Sequence, residues 1–128
     1  MGSRKWIKLW CKQWTEGSIR EEEPAVRGVW ADLLALAGSG QYGSSGEIKL
    51  QNGIGLTDKQ LCEILNIKPS LLRRAKKRFI DSQRINISPK NAITISNWFN
   101  YQSEYDRQKP YRERKGGQPP EPIDAIDD

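Results

Sequence analysis

From Pro24 to Ala37 the apolar residues Val26, Val29, Trp30, Leu33, Leu36 and Ala37 recur three or four positions apart. That spacing predicts an amphipathic helix with one buried stripe. Pro24 at its entrance and Gly38 at its exit suit the two ends of a helix. A second helix is predicted from Thr57. Thr57 and Gln60 have the spacing of a capping box, and Asp58 adds negative charge to the positive helix end. Leu61, Ile64 and Leu65 form its inward stripe, with Cys62 beside them as a small core residue. Asn66-Ile67-Lys68-Pro69 breaks this helix, and a third begins at Pro69 or Ser70. At about 100° per residue, Leu71, Leu72, Ala75 and Phe79 share one side of the third helix. Ser70, Arg73, Arg74 and Lys77 share the opposite side, flanked by Lys76 and Arg78. One face is core and the other a ridge of cations.

After Ser82 the period changes to two. Residues 84–88 and 93–96 read as strands joined by a tight turn over 89–92, with Lys90 at its tip. Ile85 and Ile87 point to one side of this hairpin, as do Ile93 and Ile95. Residues 5–10, KWIKLW, also alternate and predict a short strand, although Trp6, Trp10 and Trp14 have a spacing a helix would align as well. Exposed, these tryptophans would suggest a protein partner; buried, they would seal the base of the fold. Residues 38–46 read as a glycine-serine loop, Glu47–Leu50 as a brief strand, and QNGIG as another loop. Trp98, Tyr101 and Tyr105 predict a helix running to about Lys109, which Pro110 should break. The expected fold is α+β: a winged helix-turn-helix, with a three-helix core and a β-hairpin wing, plus a C-terminal helix. Residues 5–109 form that domain, residues 1–4 are expected to be disordered, and 110–128 are expected to be a flexible tail, first basic and then acidic.

Composition narrows the chemistry. At 128 residues the chain suits one domain. Histidine is absent, which removes histidine bases, histidine metal ligands and nucleophile systems built on them. Cys11 and Cys62 are too far apart in sequence for a thiolate zinc motif, and two free thiols fit a reducing cytoplasm. No apolar window is long enough to span a membrane, and the basic start lacks the apolar stretch of a secretory signal. The glycine-serine loop has no lysine where a phosphate-cradling loop needs one. No enzyme activity, metal or cofactor is expected.

Charge is unevenly placed. The net charge of +5 includes an acidic end, residues 116–128, with four acids and no base. Residues 68–84 hold seven bases against one acid, Asp81. A cluster that dense asks for a polyanion, the alternative being an ordinary solvated helix face. A B-form major groove, about 12 Å wide, accepts one helix, with the preceding helix braced across the backbone. In that arrangement Ser70, Arg73, Arg74 and Lys77 face base edges and phosphates. Arg73 and Arg74 are the candidates for bidentate guanine contacts, since a guanidinium offers two parallel donors. Lys68, Lys76, Lys77 and Arg78 are candidates for phosphate, and Lys90 for an adjacent groove or backbone. Arg107, Lys109, Arg112, Arg114 and Lys115 add a less specific electrostatic arm.

The opening WIKL, the helix core VWADLLALAG, the glycine loop before EIKL, LTDKQLCEIL, ITISNW and YQSEYDRQKPYR together resemble the N-terminal domain of phage replisome organiser proteins. A more distant resemblance is to DnaD-like primosome proteins. The resemblance implies a winged helix that binds origin DNA, or self-assembles, in phage or prophage replication initiation. It carries over to the basic helix 69–82 and the wing 84–96. Such proteins usually continue into a second domain that engages the helicase, whereas this sequence ends in a proline-rich acidic segment, so helicase loading is not carried over. The expected partners are DNA, double-stranded by preference, together with a second copy of the chain or other replication proteins, and no membrane. Two alternatives stay open: a small transcriptional regulator, and a protein-interaction or oligomerisation module that binds no DNA.

Overall fold

The computed structural model describes residues 5–102. The elements run α1 (Cys11–Glu16), a 3-10 turn (Ser18–Glu21), α2 (Pro24–Gly38), β1 (Gly43–Ser44), β2 (Glu47–Ile48), α3 (Asp58–Leu65), α4 (Pro69–Asp81), β3 (Ile85–Ile87), β4 (Ile93–Ile95) and α5 (Trp98–Gln102). The four strands form one antiparallel sheet in the order β1-β2-β4-β3. This is an α+β winged helix, with α2, α3 and α4 over the sheet and the β3–β4 hairpin as the wing. No helix among the described residues is long and apolar enough to cross a membrane.

The core follows the predicted stripes. Val26, Val29 and Leu33 of α2 meet Leu61 of α3, Leu72, Ala75 and Phe79 of α4, and Ile48, Ile85 and Ile93 of the sheet, all essentially inaccessible. Trp30 is only partly buried, its ring tilted against Phe79 at 5.2 Å between centroids. Cys62 is buried in the same cluster.

Local signals hold the helix-turn-helix. The Thr57 hydroxyl accepts from the Gln60 amide N–H at 3.1 Å, and the Gln60 side chain accepts from the Thr57 N–H at 2.8 Å. Asn66 ends α3 in the left-handed region, at φ 57°, where asparagine is among the least disfavoured residues. Pro69 then opens α4, where its missing N–H costs no helical bond. The turn between the helices is therefore residues 66–68.

Two segments depart from the sequence pattern. Residues 6–10 form neither helix nor strand. Their backbone pairs instead with a side chain: Lys8 N–H donates to Gln102 Oε1 at 2.7 Å, and Gln102 Nε2 donates to the Lys8 carbonyl at 2.8 Å. A carboxamide offers one donor and one acceptor, as a peptide group does, so alternation appears without a sheet. Trp10 Nε1 adds a bond to the Tyr101 carbonyl at 3.0 Å. The second departure is β1, which lies inside the predicted glycine-serine loop. Gly43 and Ser44 have little strand propensity, and they pair because β2 offers its edge. The predicted continuation of α5 through Tyr105 to Lys109, the tail 110–128 and residues 1–4 lie outside the described residues.

The wing is short but pinned. The Ser88 hydroxyl accepts from the N–H groups of Lys90 at 3.2 Å and Ala92 at 3.0 Å. The loop before α3 then straps the turn: Gly55 N–H donates to the Lys90 carbonyl at 2.8 Å, and Asn91 Nδ2 donates to the Leu56 carbonyl at 3.1 Å. A Cβ on Gly55 would collide with the Asn91 carbonyl group, a backbone contact that cannot swing aside. Gly55→Ala is therefore expected to destabilise the domain by about 2 kcal/mol. It should also raise amide exchange at Lys90 and Ala92, read by hydrogen exchange alongside urea unfolding.

Candidate nucleic-acid interface

Helix α4 turns Leu72, Ala75 and Phe79 inward and leaves most of its cations outside, as its periodicity predicts. The protein's own acids, however, divide those cations into groups. On the flank toward α2, Arg74 donates through Nε and Nη2 to both carboxylate oxygens of Glu23, each at 3.0 Å. One turn later, Arg78 donates in the same fork to Glu22, at 2.7 and 3.1 Å. On the other flank Lys76 Nζ reaches Asp58 Oδ1 at 2.8 Å, and its side chain is only 17% exposed. Between these flanks lies the outward ridge of Ser70, Arg73 and Lys77, all exposed. Lys77 pairs within the helix with Asp81 at 3.3 Å, a solvated contact worth little. Lys68, Arg73 and Lys90 make no ion pair among the described residues.

The structure thus sets Ser70, Arg73 and Lys77 on one outward face, leaves Lys68 exposed at the helix N-cap, and sets Arg74, Arg78 and Lys76 against glutamate or aspartate. Lys90 stands apart, exposed on the wing turn. Arg107, Lys109, Arg112, Arg114 and Lys115 lie outside the described residues. The Arg74 fork lowers the Glu23 carboxyl below the ordinary glutamate range, and Glu23 in turn raises the Arg74 guanidinium. Glu22 likewise raises Arg78.

Glu22 and Glu23 belong to the run Glu21-Glu22-Glu23 that ends at Pro24, and no motif in the sequence gives them a role. Their partners are 56 and 51 residues away. The available signal is the run of three acids just before α2, opposite in sign to the RRAKKR run of α4. Arg84 completes the cluster. Its Nη2 donates to Ser18 Oγ and its Nη1 to Ser82 Oγ, each at 2.8 Å, with Nη1 at 3.8 Å from Glu22. Among the described residues, no three of His, Cys, Asp or Glu converge as a metal site would require.

This geometry, a basic helix presented by a helix-turn-helix beside a braced wing, coincides with a family match. The family model described as the N-terminal phage replisome organiser matches residues 6–118. The chain belongs to that family. No curated protein matches it, and no solved structure does. Membership links this organiser domain to phage replication, and the match takes in the whole helix-turn-helix, the wing and α5. It concerns the replisome organisers, and the likeness to DnaD-like primosome proteins remains a resemblance of sequence alone.

Proposed function

We propose that this domain binds duplex DNA during phage replication initiation, with α4 in the major groove and the wing beside it. The observation that carries the reading is the exposed Ser70–Arg73–Lys77 ridge, which lies opposite the core stripe and where, among the described residues, Arg73 pairs with no acid and Lys77 only with the solvated Asp81. Arg73 is the residue for a bidentate base contact, because its guanidinium is free to present two parallel donors. Lys68, Lys77 and Lys90 neutralise phosphates. Arg74, Arg78 and Lys76 contribute only where a phosphate takes the place of a carboxylate they already hold. Arg107 and Lys109, outside the described residues, add basic charge in the sequence beyond α5. Organiser membership favours this purpose over transcriptional regulation.

The test is a gel-shift titration of the full chain on duplex DNA across a range of salt. Four to six phosphate contacts predict that log affinity falls against log salt with a slope of about −4 to −5. Absence of duplex binding at low salt, or a flat salt dependence, rejects the reading.

A second reading, contact with another replication protein or with a second copy, has its own observation. Trp6 is 65% exposed and Leu9 is also exposed, both on the segment held by Gln102. Aromatic and aliphatic groups displayed together are the material of a protein interface. This surface is separate from the α4 ridge, so the two readings are compatible.

A further inference from the structure

We propose that the loop of residues 51–56 and the wing turn form a two-part tip, in which Ile54 makes an apolar contact with duplex DNA beside the phosphate contact of Lys90. The proposal rests on the duplex reading above. A single exposed isoleucine is ordinary on a protein surface. Ile54, 49% exposed, differs in how firmly its backbone is held. Its N–H donates to Asn52 Oδ1 at 3.0 Å, and its carbonyl accepts from the Leu50 N–H at 2.9 Å. The next residue, Gly55, bonds the Lys90 carbonyl, and Leu56 accepts from Asn91. Both backbone groups of Ile54 are occupied, and its neighbour is fastened to the wing. A loop backbone fixed in advance loses little entropy on contact.

The surroundings choose the partner. Lys90 and Lys59 carry no acid partner among the described residues; Asp58, beside Lys59 in sequence, is spent on Lys76, and Asp81, the acid nearest Lys90 in sequence, pairs with Lys77. An exposed apolar group whose loop is fastened to the Lys90 turn suits a polyanion with apolar sugar and base edges between its phosphates. Isoleucine is among the side chains that proteins set into the minor groove for such contacts.

Salt separates the two halves of the tip. Ile54→Ala in the full chain is expected to weaken duplex binding about fivefold to tenfold with an unchanged salt slope, since an apolar contact releases no counterion. Lys90→Gln should instead make the slope shallower by about one. Ile54→Leu should keep near-parental affinity, and all three variants should melt as the parent does, because both side chains are exposed. Parental affinity in Ile54→Ala, or a loss accompanied by a changed slope, overturns the inference while leaving the duplex reading standing. A parent chain that binds no duplex overturns the reading itself.

Discussion

A chain carrying both Arg73→Glu and Lys77→Glu is expected to lose duplex affinity by at least about a hundredfold at moderate salt, and to melt as the parent does. Both positions lie on the outward ridge of α4, opposite Leu72, Ala75 and Phe79, so neither substitution reaches the core. Two cations become two anions on the face proposed to meet the duplex. The released counterions are lost and repulsion is added. The stability cost is small because the one native contact broken is the exposed Lys77–Asp81 pair, worth a few tenths of a kcal/mol. A gel-shift titration beside a thermal melt reads both quantities. Affinity within a few-fold of the parent would remove this ridge from the interface.

The choice of Arg73 over its neighbour shows what the sequence can and cannot convey. Periodicity assigns Arg73 and Arg74 to the same outward face, and that is where the backbone places them. It cannot show that Arg74 spends both donors on Glu23, because that pairing depends on how α2 packs across α4. Elements whose causes are local were legible. The Thr57–Gln60 box, the left-handed Asn66, Pro69 at the start of α4 and the stripe from Leu72 to Phe79 all depend on residues within a few positions of one another. Elements whose causes are distant were not. The alternation of residues 5–10 suggested a strand, but their partner is the side chain of Gln102, 94 positions from Lys8. Helix α1 buries none of its six residues and has no side-chain cap, so neither stripe nor cap announces it.

The same distance in sequence conceals the residue with the largest expected effect on stability. Glu22 is only 6% exposed, yet it carries a charge. Its carboxylate takes the Arg78 fork and lies near Arg84, while its carbonyl accepts from Arg27 Nη1 at 2.6 Å. Four elements meet there: the 3-10 turn through Ser18, α2 through Arg27, α4 through Arg78, and the entrance to β3 through Arg84. Glu22→Ala is expected to destabilise the domain by about 2 kcal/mol, through lost charged hydrogen bonds and a small cavity. The cost stays below that of a fully buried pair because Arg78 is half exposed and regains water, and Arg84 keeps Ser18 and Ser82. Glu22→Gln, which preserves volume and one acceptor, should fall between the two. Urea unfolding at low and high salt provides the check. A part-buried carboxylate is weakly screened, so the Glu22→Ala deficit should persist in high salt, whereas a solvated pair such as Lys77–Asp81 should fade. Unfolding of Glu22→Ala at the parental urea midpoint would mean that this cluster decorates the fold without holding it. Loss of DNA binding in Arg78 variants would then have to be read as lost contact, and no longer as lost structure.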